Sequence, residues 1–154
     1  MLSPFAAYEL PYPKSCHVYL NGTQSIPSKA WTVVAINAVA WDTYGLYTGG
    51  TSKYITIPED SLYLIVARFE TIGVVTAPVS LGLWRNGTYE TGNVSPQNTL
   101  TALICNLTYV SMCTKGDQYD LEVYSGSTSS INIGGSTWNC FLQILKLPYI
   151  TKGF

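Results

Sequence analysis

Catalysis needs nucleophiles, bases or metal ligands within reach of one another, and this sequence offers few. Its only histidine, His17, directly follows Cys16. A cysteine–histidine dyad requires the two side chains to face each other. Neighbours on an extended strand point to opposite faces, so Cys16 and His17 read as two structural positions. The other cysteines, Cys105, Cys113 and Cys140, form no Cys-x-x-Cys pair, and one histidine does not complete a zinc site. Two disulfides are arithmetically possible, but the spacing specifies none, and the expected state is four buried thiols acting as small hydrophobes. Asp117 and Asp120 are close enough in sequence to act as a carboxylate pair. Asp117, however, belongs to the turn Lys115-Gly116-Asp117, where a local hydrogen bond accounts for an aspartate. Gly134-Gly135 is followed by neither lysine nor helix, which excludes a phosphate loop. The expectation is a non-enzymatic chain with no metal and no other cofactor.

Binding chemistry is better represented. The chain carries 12 tyrosines and 4 tryptophans, side chains that join an apolar body to a polar tip and suit interfaces. Tyr44, Tyr47, Trp84 and Tyr89 fall in or beside turns and are candidate ligand-contacting aromatics, able to stack on a sugar or a receptor surface. A second aromatic group lies at the start. Phe5, Tyr8, Leu10 and Tyr12 alternate with Pro4, Pro11 and Pro13. Prolines hold a chain extended and break helices, so residues 1–15 read as an arm that docks on its own or a neighbouring subunit.

The elements that must position these residues are short strands. No segment has a sustained helical period with caps. Strand patterns occur at 16–20, 31–37, 38–41, 53–57, 60–70, 79–84, 99–112, 118–124, 131–133 and 136–147, separated by turn signals such as Ile57-Pro58 and Arg85-Asn86-Gly87-Thr88. Residues 71–78 and 89–98 read as loops. The segment 60–70, DSLYLIVARFE, is unusual. A half-solvated antiparallel strand alternates apolar and polar residues. Here Tyr63, Ile65, Ala67 and Phe69 share one face, and Leu62, Leu64 and Val66 the other. Both faces want cover, and the chain's own core supplies it for one. The closing strand repeats the pattern with Cys140, Phe141, Leu142, Ile144, Leu145 and Leu147. These features predict an all-β single domain of eight to ten short strands, a sandwich or a barrel, with an arm over 1–15, the domain over 16–147 and a tail over 148–154.

Composition narrows the partners. Of 154 residues only 11% are charged, with a net charge of −1, against about 25% charged in an ordinary soluble domain. No basic field exists for nucleic acid or an anionic membrane, and no window of about 20 apolar residues would span a bilayer. The opening MLSPFAAYELPYPKS lacks a basic region and a continuous apolar run, so no secretion signal is expected. Asn21, Asn86, Asn93 and Asn106 match the glycan acceptor pattern. The first two read as Asn-Gly turns and the others as chance matches.

The order of these motifs resembles the jelly roll shared by the globular heads of complement first component and the tumour necrosis factor superfamily. The resemblance rests on His17-Val18-Tyr19-Leu20 with Gln24-Ser25-Ile26-Pro27, on Trp31-Thr32-Val33-Val34, and on Trp41-Asp42-Thr43-Tyr44-Gly45. It continues through Ile55-Thr56-Ile57-Pro58 with Leu62-Tyr63-Leu64, Leu83-Trp84-Arg85-Asn86-Gly87, Lys115-Gly116-Asp117, and Trp138 through Leu145. It spans residues 16–147. The glycine usual before the tyrosine is missing from Glu59-Asp60-Ser61-Leu62, and Phe141-Leu142-Gln143 lacks the family's small step. The resemblance implies a single-domain, all-β jelly-roll sandwich of about ten antiparallel strands. It also implies a homotrimer whose inner sheets pack around a threefold axis, with Tyr63, Leu64, Ile65, Phe141 and Leu145 near it. Some relatives bind calcium, for which Asp42, Asp117 and Glu122 are the carboxylates to consider, though their spacing does not demand it. The expected role is a virion structural protein: a capsid decoration protein or short head fibre at the surface of a phage particle, partnered by the major capsid protein through Phe5, Tyr8, Leu10 and Tyr12. A receptor- or carbohydrate-binding fibre knob and a secreted, extracellular signalling ligand are the alternatives.

Overall fold

A computed structural model describes residues 13–49, 53–95 and 102–148. Twelve strands run through them in chain order: β1 (Ser15–Tyr19), β2 (Gly22–Ile26), β3 (Trp31–Val33), β4 (Ala38–Asp42), β5 (Tyr54–Thr56), β6 (Ser61–Glu70), β7 (Val79–Arg85), β8 (Thr88–Ser95), β9 (Ile104–Cys113), β10 (Gln118–Ser125), β11 (Ile131–Gly135) and β12 (Phe141–Lys146). One sheet has the order β4-β1-β12-β6-β9. The second runs β3-β10-β7-β8, with β5 also on β10, and β11 and β2 form a separate ribbon. All strand pairs are antiparallel. The first and last strands lie side by side in the middle of the sheet, so the β1–β12 pairing closes the fold between residues far apart in sequence.

The inward positions of both sheets make one core. Along β6, Tyr63, Ile65, Ala67 and Phe69 are fully buried, and Leu62, Leu64 and Val66 alternate with them half-buried. Across β12, Leu142 and Ile144 face Ala67 and Ile65; across β1, Cys16 and Val18 continue the row. The opposing sheet contributes Leu81 and Leu83 from β7 and Tyr119, Leu121 and Val123 from β10. Each large side chain buried this fully stabilises the fold by about 1.5–3 kcal/mol. The alternation expected for β10 is the alternation found.

Turn chemistry sets the connections. Asn86 and Gly87 have φ of 53° and 75°, the left-handed pair of a two-residue hairpin, and they join β7 to β8 as the sequence predicted. Asn21-Gly22 is not a hairpin: β2 leaves the β1 sheet and pairs with β11. Residues 89–98 were expected to be a loop, but 89–95 complete β8 behind the hairpin. Residues 34–37, expected to extend the Trp31 strand, lie outside regular structure, and Trp138 sits in a turn ahead of β12. All four cysteines are free and buried.

Candidate functional site

The residues able to do chemistry are kept apart. Cys16 points into the core, where burial, and then Asp42, push its thiol up to about 12. Burial pushes Cys140 up to about 12 as well and raises Cys105 and Cys113. These shifts oppose thiolate formation. His17 is fully buried on the opposite face of β1, with Nε2 donating to the Thr137 carbonyl at 2.7 Å. Trp41 and Phe141 flank its ring at 4.5 and 4.7 Å, and Trp138 meets it edge-on at 5.3 Å. The three carboxylates considered for calcium lie apart, and two of them are employed in local hydrogen bonds. Asp42 accepts the backbone N–H groups of Tyr44, Leu46 and Tyr47. Asp117 accepts from Arg85 at 2.5 Å, Asn86 at 2.8 Å and the Thr114 N–H. Glu122 projects from the outer face of β10. Among the described residues no three His, Cys, Asp or Glu side chains converge as metal ligands.

Two outward faces gather the exposed apolar and aromatic side chains. The first belongs to the β4-β1-β12-β6-β9 sheet. Register places Leu64 beside Leu145 and Val110, and Leu62 beside Met112. Val110 is 50% and Met112 54% exposed. Val66, Gln143 and Thr108 form the next row. This resolves which side of β6 meets solvent, and the five residues named from sequence for a trimer axis divide between the two sides. Tyr63 and Ile65 lie wholly inside the chain's own core because they fall on the inward beat of the strand. Phe141 is covered by His17 and Trp138. Leu64 and Leu145 are the two of the five that open outward, and Leu62, Val66, Val110 and Met112 join them.

The second face belongs to the β3-β10-β7-β8 sheet. Trp31, Trp84, Tyr89 and Tyr124 gather there. Trp31 stands 6.1 Å from Trp84, 6.1 Å from Tyr89 and 5.5 Å from Tyr124, while Trp84 and Tyr89 meet edge-to-face at 5.8 Å. Glycine makes the gathering possible. A Cβ at Gly82 would come within 2.9 Å of the Trp31 ring, and one at Gly92 within 2.5 Å of the Tyr89 hydroxyl and the Leu81 carbonyl. Trp31 and Tyr89 stay exposed. Asp120 is the register partner of Trp84, and Glu122 of Gly82. Neither carboxylate has a hydrogen bond or ion pair among the described residues. Burial pushes Asp120 up to about 6, and burial and Asp120 together raise Glu122.

Of the four aromatics named from sequence, the structure brings Trp84 and Tyr89 together and sends Tyr44 and Tyr47 elsewhere. The Tyr44 hydroxyl bonds Lys14 at 2.7 Å and Glu59; the Tyr47 hydroxyl donates to the Ile36 carbonyl at 3.0 Å. Both pack against the core. Trp31, Tyr124, Asp120 and Glu122 were not foreseen as companions of Trp84, because cross-strand register decides it. The outward beat of QYDLEVY was the available signal. Phe5, Tyr8, Leu10 and Tyr12 lie outside the described residues.

Neither a family model nor a curated protein matches the sequence. Solved structures do match the fold. The chain is similar to an Eiger TNF from S. frugiperda at TM-score 0.66 and 12% identity, covering 92% of this chain and 99% of that one. It is similar to murine APRIL at pH 5.0 at TM-score 0.67 and 14% identity, covering 87% and 100%. The globular domain of zebrafish complement 1qA follows at TM-score 0.65 and 16% identity, covering 88% and 98%. At these identities the likeness is one of architecture, and the chain has the jelly-roll sandwich of the TNF and complement globular-head type.

Proposed function

We propose that this chain is a non-enzymatic structural protein that assembles as a homotrimer, with the outer face of the β4-β1-β12-β6-β9 sheet turned toward the threefold axis. The observation that carries the reading is the apolar outer face of β6 and β9. Leu62, Leu64, Val66, Val110 and Met112 form a contiguous outward row, and exposed apolar patches of this kind mark association surfaces. A closed assembly also covers β9, the edge strand of that sheet, and exposed edges invite uncontrolled pairing. The trimer serves as a capsid decoration protein or short head fibre on a phage particle, with the major capsid protein as partner and residues 1–15 as the docking arm. The sparse charge, 11% of residues, fits a molecule with much of its surface in contact.

Mass in solution tests the assembly. Sedimentation equilibrium is expected to give three times the chain mass of 16.9 kDa, and a stable monomer overturns the trimer. Co-sedimentation with intact capsid shells tests the role. The full chain is expected to bind and a chain lacking residues 1–15 to lose binding; equal binding removes the arm from the mechanism. The likeness to Eiger TNF and APRIL supports a second reading, a TNF-like extracellular ligand. Glycans on Asn21 or Asn106 of the natural protein favour that reading over the virion one.

A further inference from the structure

We propose that the outer face of the β3-β10-β7-β8 sheet is a binding site for an arginine side chain presented by another protein, with Trp31 and Tyr89 as the stacking surface and Asp120 and Glu122 as acceptors. Charge selects the occupant. The strands β3, β5, β7, β8 and β10 contain Glu90, Asp120 and Glu122 but only one basic residue, Arg85. Arg85 is committed elsewhere, 2.5 Å from Asp117 and 3.8 Å from Glu90. Asp120 and Glu122 thus stand two residues apart on one strand, about 7 Å by strand geometry, with no free counter-charge on these five strands. An Asp120 oxygen is buried without a partner. The four aromatic rings around them present electron-rich faces, which attract cations.

Shape selects the cation. The rings pack edge-to-face or tilted, with centroids 5.5–6.1 Å apart, and leave no interior for a compact quaternary ammonium. What they offer is ring surface on Trp31, 40% exposed, and Tyr89, 49% exposed. A planar, weakly hydrated guanidinium lies on such a surface and forks to carboxylates; lysine does neither as well. A neutral sugar stacks on the same rings but leaves the two carboxylates uncompensated.

The probe is N-acetyl-arginine amide, titrated into the full chain and followed by the indole N–H resonances of Trp31 and Trp84. Trp138, in the turn ahead of β12, is the internal control for folding. At pH 8 both indoles are expected to shift saturably, while the N-acetyl-citrulline amide, of the same shape and uncharged, binds at least fivefold more weakly. At pH 5 arginine binding falls at least fivefold as Asp120 takes up a proton. Tyr54 of β5 and Trp84 of β7 flank Asp120, Tyr89 of β8 lies beyond Trp84, and Glu122 and Tyr124 share its strand face, so only Glu122 adds a second carboxylate, and it acts in the same direction. Asp120→Asn and Glu122→Gln, whose shapes are retained, are each expected to weaken binding at least threefold with Trp138 unmoved. Equal binding of citrulline, or of methyl glucoside, overturns the proposal in favour of a neutral stacking platform. Absence of any saturable shift overturns it outright. Tighter binding of free L-arginine than of the blocked amide overturns the chain-borne source.

Discussion

Asp117 and Asp120 stand three residues apart and titrate in opposite directions. Both are penalised by burial. At Asp117 that penalty is outweighed by Asn86, the Thr114 N–H and Arg85, and its carboxyl is held below the ordinary range. Asp120 has no such donors and rises to about 6. The stability consequences have opposite signs. Asp117 contributes stability that is present above its unfolded pKa and lost as pH falls through the lower folded value. Asp117→Asn is expected to cost about 1–3 kcal/mol at pH 7. Asp120 carries a cost that is present above about pH 6 and absent once it is protonated in both states, below its unfolded value. Asp120→Asn is therefore expected to stabilise the chain by about 1 kcal/mol at pH 8, discounted for its contact with solvent, and to leave it unchanged near pH 3.5, as urea titrations at the two pH values will show. The thiols give a third expectation at this scale. Because all four are buried and free, a thiol-reactive chromophore should label none in the native chain and four in urea.

Among the elements, legibility followed chemistry that is local. The Asn86-Gly87 hairpin and the Lys115-Gly116-Asp117 turn could be read from sequence because φ preference and a short-range hydrogen bond act within a few residues. The alternation of β10 was equally open, since Tyr119, Leu121 and Val123 share one beat. β8 was hidden because TYETGNVS has no apolar beat; it lies at the sheet edge and depends on β7 for its pairing. β2, GTQSI, was missed in the same way, since its partner β11 lies more than a hundred residues on. The aromatic cluster was invisible for the related reason that Trp31, Trp84 and Tyr124 meet only through the registers of β3, β10 and β7. Glycines report how closely these elements approach. A Cβ at Gly135 would fall 1.9 Å from the Leu20 carbonyl oxygen, and backbone cannot yield as a side-chain tip does. Gly135→Ala is expected to destabilise by more than about 2 kcal/mol. Gly82→Ala should instead displace Trp31, changing the near-ultraviolet circular dichroism at a smaller cost in thermal stability.

For the whole molecule, the proposed trimer assigns folding to one side of β6 and assembly to the other. Ile65→Ala removes buried volume and is expected to cost about 2–5 kcal/mol in unfolding. Leu64→Lys, one residue away and facing outward, should leave the sandwich folded while sedimentation reports a smaller particle, because a cation buried at an association surface without a partner is costly. If Leu64→Lys unfolds the chain as readily as Ile65→Ala, the division of labour between the two faces is wrong. The second sheet turns its aromatic and acidic face away from this surface, so a trimer would present three copies of it around one axis. Weak single contacts then add as avidity when a partner displays its basic groups at a matching spacing.

The ten-residue alternation of β6 also bears on how the strand finds its place. In most half-buried strands a slip of one residue drives polar side chains into the core and is rejected. Here the first half of the slipped strand would bury Leu62, Leu64 and Val66, an acceptable core. Discrimination falls to the far end, where the same slip would carry Arg68 and Glu70 inward. Their 3.2 Å ion pair on the outer face thus acts as a register mark, and its contribution lies in the misaligned states it makes unaffordable. Replacing both with leucine would leave the native contacts nearly intact, yet refolding from urea should yield a mixture of pairings where the natural sequence yields one.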